Sequence, residues 1–333
     1  MTLRARFGWT LIAIAAGVAI FATMLAPHRD SDQLEMRAYA PPTPIHIWDG
    51  GLRAPFIRPV TMVDRLRREF RADESARVPL SVGAAPLLQS TSPEQPLLIL
   101  GADPLGRDVF SRLVLGARWS LGVTLGGAAG ALLFGMVIGG FAGISGGRTD
   151  RWLMRLADFV LVLPAVYLVL VLRAMLPLVL TSGEVFALMS ALFAVAAWPH
   201  VARGVRSIVM VERSRDYVEA ARAAGAGRWR VLGHVLPATR GFLIAELVLL
   251  IPALLSAEAA ISFLGLGFPE PAASWGTMLQ DAANVRVMTE APWMLAPAAA
   301  LFIVVLGVQL VGGSASSLLR TTFDNLGEHG RSY

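Results

Sequence analysis

Residues 213–237 read RSRDYVEAARAAGAGRWRVLGHVLP, the longest polar interruption in the second half of the chain. Apolar stretches long enough to cross a bilayer flank it on both sides. The pattern predicts two short helices. The first runs from Asp216 to about Ala224 and ends at Gly225-Ala226-Gly227; the second leads into Pro237. Asp216 is placed to cap the first helix, and Glu219 lies near its positive end. Ala220, Ala221, Ala223 and Ala224 favour helix and carry almost no bulk. Another protein can approach such a backbone closely. The plainer alternative is a loop that packs only on its own membrane helices.

Composition sets the class outside this stretch. The 333 residues are 55% hydrophobic and 16% charged, the balance of a polytopic membrane protein. All 29 basic residues are Arg. Without Lys the chain can hold neither a Walker A loop nor a Schiff base. Without Cys it can form no disulfide, thiolate nucleophile or Cys-ligated metal site. The net charge of +5 gathers beside the apolar runs, which gives no reason to expect nucleic acid.

Moving outward, Val185–Ala202 and Phe242–Phe263 read as the spans around the polar stretch; the second contains Glu246 and Glu258. Carboxylates are costly in hydrocarbon, so Glu258 is a weak candidate for a polar path through the membrane or an interface with a second subunit, against a hydrogen-bonded carboxyl facing other helices. Leu153–Leu176 reads as a further span with Asp158, a second weak candidate, near its start, Pro164 inside it and Arg173 near its far end. Trp119–Ile144 carries glycines four residues apart: Gly126 and Gly130, Gly135 and Gly139, Gly139 and Gly143. Such spacing lets a helix approach a neighbour in this subunit or in a second one. Trp293–Val311 is the last span. Trp9–Ala26, behind Arg4 and Arg6, is the first, being rather long for a cleaved signal sequence.

Residues 27–100 contain no span, nine Arg and nine acidic residues. Ile45–Trp48 and Pro55–Ile57 around Asp49-Gly50-Gly51 predict a strand, turn and strand. Val63–Arg71 reads as a turn or two of amphipathic helix. The expected organisation is a transmembrane helix over 1–26, an extracytoplasmic insertion over 27–100, a core of five transmembrane helices over 101–320 with a polar loop at 207–239, and a tail at 321–333. The fold class is an all-α polytopic membrane protein of six transmembrane helices.

Arginine placement tests the topology. Loop 145–155 has three Arg against one Asp, and 203–240 has eight Arg against three acids. Loop 265–292 has one Arg against three acids. The positive-inside rule puts the first two in the cytoplasm and the third outside. Both termini are then cytoplasmic, and parity puts 27–100 outside.

Five ordered stretches between about 100 and 325 resemble permease subunits of bacterial peptide-type ABC importers, the dipeptide, oligopeptide and nickel permease family. Asp216, Tyr217, Glu219, Ala220, Ala221, Gly225, Leu236 and Pro237 match that family's EAA loop, with one residue fewer between Gly225 and Pro237. LGADPLGRDVFSRLVLGARWSL at 100–121 matches at Asp103, Gly106, Arg107, Asp108, Ser111, Arg112, Gly116 and Arg118, with Ala102 replacing Thr. Read on its own, it is a turn and a short amphipathic surface helix, with Arg107 and Asp108 as an interfacial salt bridge. Asp158 with Pro164 and the segment 198–206 also match. So do AEAAISFLGLG around Glu258, and Phe268, Pro269, Pro271 and Ser274-Trp275-Gly276.

The resemblance implies a type I ABC importer permease fold in a bacterial inner membrane. It implies a second homologous permease, two ATPases that hold ATP and Mg, and an extracytoplasmic binding protein; this chain would need no cofactor or metal. Residues 216–237 would be the ATPase-coupling loop of a permease for short peptides. Two other classes stand beside this reading. An ion-coupled secondary transporter should show inverted repeats and broken helices. An intramembrane enzyme would need paired catalytic groups, and none falls at a telling spacing.

Overall fold

In a computed structural model the structure describes residues 2–34, 36–48, 51–64, 69–162, 167, 171 and 180–329; at 52, 285, 286, 288 and 314–329 it describes the backbone alone. Two compact units emerge. One comprises 1–10, 123–257 and 305–333; the other comprises 11–122 and 258–304.

The first unit is helical. Helix α3 (Val109–Ser145) enters it at Val123, and α4 (Gly147–Val162) follows. Helix α5 (Ser182–Glu212) opens with a capping box in which Thr181 and Glu184 satisfy each other's backbone donors. The glycine row of α3 packs on α5. A Cβ at Gly130 would lie 2.6 Å from the Ala194 Cβ, and one at Gly143 would lie 2.8 Å from the Val209 Cβ. Gly126, Gly135 and Gly139 meet Ser190, Val201 and Ala202 in the same way. The glycine spacing therefore serves packing inside this subunit. Residue numbers rise together along both helices, so α3 and α5 run parallel. Helix α4 runs back along α5, with Ala157 against Trp198 and Ala202. The expected span Leu153–Leu176, with Pro164 and Arg173, lies largely outside the described residues.

The second unit gathers the end of α1 (Leu3–Ile20), α2 (Ala22–Leu25), the insertion and the head of α3. The insertion is built of strands. β1 (Ile45–Trp48), β2 (Leu52–Ile57), β5 (Val78–Val82) and β6 (Leu88–Ser90) form an antiparallel sheet in the order β1-β2-β5-β6. β3 (Val60–Asp64) pairs with β4 (Glu69–Ala72). The hairpin expected at 45–57 is present. The amphipathic helix expected over Val63–Arg71 is not: the described ends of this stretch are strands. Met62 pairs with Phe70, and Val60 is buried while Thr61 is exposed, a two-residue alternation that a cross-strand partner exploits.

Helix α3 is one continuous element of 37 residues, not a surface helix followed by a separate span. At 1.5 Å per residue it measures about 55 Å, well beyond the ~30 Å of bilayer hydrocarbon. Val109 and Val114, expected to face lipid or protein, are buried in protein: Val109 near Ala273 and Met278, Val114 near Ala22 and Ala26. Residues 265–292, expected as a loop, carry α9 (Trp275–Asp281) and α10 (Val285–Glu290), the former started by a Ser274–Thr277 capping box. Helix α11 (Ala296–His329) extends past the last expected span. Five helical stretches among the described residues are long and apolar enough to cross a membrane: Leu3–Ile20, Val109–Ser145, Ser182–Glu212, Arg228–Leu266 and Pro292–Gly313.

Candidate functional site

The polar stretch folds as two helices, α6 (Asp216–Ala223) and α7 (Arg228–Val235), followed by a 3-10 turn over Leu236–Thr239 and then α8 (Arg240–Ile261). Asp216 does not cap α6. Arg215 takes the cap position without a side-chain hydrogen bond, and Asp216 is the first helical residue. There its charge still lies at the positive end of the helix, as does that of Glu219. Gly225 ends the helix with φ +85, a left-handed backbone that residues bearing a Cβ resist.

One face of this pair is anchored. Val218, Val231, Leu232 and Val235 are buried, and a Cβ at Gly140 of α3 would meet Leu232 and Leu236 at 3.3 and 3.5 Å. Arg213 donates to the Gly143 carbonyl (2.8 Å), fixing the entry to α6. The other face is open: Asp216, Tyr217, Glu219, Ala220, Ala223 and Gly225 are exposed, as are Pro237 and Trp229, while Ala221 and Leu236 are half-buried. Tyr217 donates its hydroxyl to Glu212 (3.0 Å). Beside this face a cavity of about 390 Å³ is lined by Ile144, Arg222, Ala226, Gly227, Arg228 and Val231. The sequence reading overlooked Trp229, which is 73% exposed and stacks on Phe141 at 5.8 Å. An aromatic between two arginines was the available signal.

Asp158, expected near a translocation path, pairs with Arg203 of α5. One helical turn or two away, Asp150 pairs with Arg206, whose Nη2 lies 2.6 Å from Oδ2. The Arg206 hydrogen bonds hold the Asp150 carboxyl below its ordinary value, against a smaller opposing effect of burial. Both contacts are side-chain pairs between neighbouring helices.

Glu258 is fully buried and accepts a hydrogen bond from the Ser262 hydroxyl (2.7 Å). Ser120 lies close by, and the Trp275 N–H donates to its hydroxyl (3.0 Å). Trp275 also donates its indole N–H to the Leu113 carbonyl (3.0 Å), and Phe268 packs on Trp119 at 5.0 Å. The head of α3 and the distant stretch 258–275 are thus knitted together around a carboxyl that faces protein.

The 103–112 motif also resolves into parts. Arg107 does not pair with Asp108. It reaches Asp103 (2.6 Å), Glu270 (2.5 Å) and Asp281 (3.2 Å), and the buried Arg112 lies 3.6–3.8 Å from the same three acids. Burial opposes ionisation of both partner acids in segment 265–292. It prevails at Asp281, whose carboxyl is raised; at Glu270 the hydrogen bond from Arg107 and the charges of Arg112 and Arg107 hold it below its usual value. Asp108 instead caps α3: its carboxylate accepts from the Phe110 and Ser111 N–H groups and the Ser111 hydroxyl, and lies 3.3 Å from His28. Adjacent residues point to different partners because one ends the turn and the other starts the helix.

This is the architecture of a polytopic membrane component: long apolar helices, with two short polar helices held at the foot of a span. The family described as the inner membrane component of binding-protein-dependent transport systems matches residues 131–319, and the chain belongs to it. It is a multi-pass permease of an ABC importer, a transport component and not an enzyme. It is 36% identical over 228 residues to the oligopeptide transport system permease protein OppC of Bacillus subtilis, covering 68% of this chain and 72% of that one. It is 39% identical over 214 residues to the nickel transport system permease protein NikC of Escherichia coli K12, covering 64% and 75%.

Proposed function

We propose that this chain forms half of an ATP-driven import path for short peptides and that residues 207–239 join it to partner ATPases. The observation that carries the coupling role is the two-faced helix pair. Val218, Val231, Leu232 and Val235 tie it to the permease, while Asp216, Tyr217, Glu219 and Ala220 present an exposed surface with two acids, its one side-chain hydrogen bond among the described residues running from Tyr217 to Glu212. A docking ATPase that moves this surface moves the spans attached to it. Such a ligand-driven shift requires that the ATPase grip the surface differently in its two states.

The complete assembly contains a second homologous permease, two ATPases carrying ATP and Mg, and an extracytoplasmic binding protein. The polar loops at 145–155 and 203–240 face the cytoplasm on their arginine excess. A sixth crossing between α3 and α5 belongs to this reading. The parallel course of α3 and α5 supports it, because a chain leaving one helix at Ser145 and entering the next at Ser182 must travel back along them. Residues 27–100 then lie outside with both termini within. Peptide as substrate rests on the similarity to the oligopeptide permease.

Reconstitution of the assembled transporter in proteoliposomes, with a labelled tripeptide and its binding protein, tests the reading. Uptake that requires ATP on the coupling-loop side is expected. Uptake that continues without ATP and collapses with an uncoupler would overturn it in favour of an ion-coupled carrier. ATP-dependent uptake of nickel chelate with none of peptide would replace the substrate alone.

A further inference from the structure

The four-stranded sheet of the insertion has an apolar turn at one end and a charged cluster at the other. Its antiparallel pairing fixes which residues share an end. Trp48 pairs with Leu52, Ile57 with Val78, and Val82 with Leu88. Trp48 at the end of β1 and the β5–β6 turn therefore lie at the same end, with β1 two strand spacings, about 10 Å, from β5.

At that end the β5–β6 turn is apolar and open. The turn Val82-Gly83-Ala84-Ala85-Pro86-Leu87 contains no charge or polar side chain, and all but Pro86 are exposed. Val82 is 71% exposed, and Trp48 at the end of β1 is 68% exposed. The opposite end carries Arg58, Glu74 and Arg77, with Arg58 and Glu74 4.0 Å apart. Exposing a valine and a tryptophan to water at one end of a small sheet has a cost that a charged end does not.

The apolar end is fastened to a membrane helix. The Leu87 N–H donates to the Met24 carbonyl (2.8 Å) in α2, which continues the apolar stretch of α1. Ala22 and Ala26 on this stretch pack against Val114, where α3 also emerges. The turn is thus held just past the C-terminal end of the first candidate span. Trp side chains favour the membrane–water boundary because the ring is apolar and the indole N–H is polar. Arg53, exposed on β2 toward this end, has the reach and charge to meet lipid phosphates.

We propose that the end of the sheet formed by Trp48 and residues 82–87 is seated in the boundary between lipid headgroups and acyl chains, so that the insertion stands on the bilayer by its apolar end. This requires only that the first helix cross the membrane; it does not depend on the substrate or on the ATPase surface. The continuous apolar path from α2 through Met24 to Leu87 selects lipid over a protein occupant.

The chain has no native Cys, so single-cysteine spin labels report position directly. Trp48→Cys, Val82→Cys, Ala84→Cys and, at the polar end, Ser75→Cys would be labelled in the full chain in lipid nanodiscs. Collision with oxygen, which concentrates in lipid, is compared with collision with a water-soluble nickel chelate. The oxygen-to-nickel ratio should be several-fold higher at 48, 82 and 84 than at 75. Ratios at 82 and 84 equal to that at 75 would mean that the turn stands in water and would overturn the proposal. Protection of 82 and 84 from both reagents would mean that protein covers the turn, which would overturn it equally.

Discussion

At the residue scale, Gly225 separates backbone strain from surface contact. Its φ of +85 costs any L-residue of the order of 1–2 kcal/mol, yet a Cβ there meets nothing within 4 Å. Gly225→Ala and Gly225→Leu should therefore lower the thermal stability of the isolated chain by similar amounts. In the assembled transporter Gly225→Leu should lose more uptake, because its bulk stands where the ATPase would approach. Equal uptake by both variants would show that nothing docks there. Glu219→Arg should leave the chain in the membrane and uncouple uptake from ATP hydrolysis; normal uptake would remove Glu219 from the mechanism. The sequence displayed Glu219, Gly225 and the alanines because helix ends and small exposed residues are local features. It misassigned Arg107 because the partners at 270 and 281 lie over 160 residues away and no local pattern names them.

At the scale of elements, the charged cluster pins segment 265–292 to the head of α3. Removing Arg107 takes the 2.6 Å partner from the buried Asp103 and leaves Arg112 3.8 Å away, so Arg107→Ala should destabilise the chain by up to about 3–5 kcal/mol, read as a lower unfolding midpoint in detergent. The contribution of Glu270 follows pH. Its carboxyl is held below the ordinary range, so its stabilisation is present above that range and is lost as pH falls through the lowered value. The difference in midpoint between the native chain and Glu270→Gln should be full at neutral pH and shrink in acid; a difference that grows in acid would contradict the pairing. Asp281, whose carboxyl is raised, works in the opposite direction and is common to both proteins in the comparison. In the glycine row, Gly130→Leu should overpack the α3–α5 contact by at least about 1–3 kcal/mol, whereas Gly233→Leu, with open space around it, should not. Glycine spacing announced a close helix contact but not its partner, since spacing is a property of one helix and a contact of two. Val63–Arg71 misled for the same reason: its amphipathic pattern suited a helix until Phe70 found Met62 across a hairpin.

At the scale of the whole molecule, charge bias and apolar length were enough to read a multi-pass protein, because the bilayer imposes both on the sequence. The insertion was less legible. Its charges balance and its strands are short, so only pairing reveals which end is apolar. The central claim concerns a surface, and it is tested by what that surface holds. The tagged chain, with Asp216 and Glu219 intact or both changed to Arg, should be drawn from gently solubilised membranes and its companions identified. The intact chain should bring ATPase subunits and a second permease, and the doubly changed chain should keep the permease and lose the ATPases. Recovery of the ATPases with both chains, or with neither, would contradict the assignment of residues 207–239 as the link between ATP and transport.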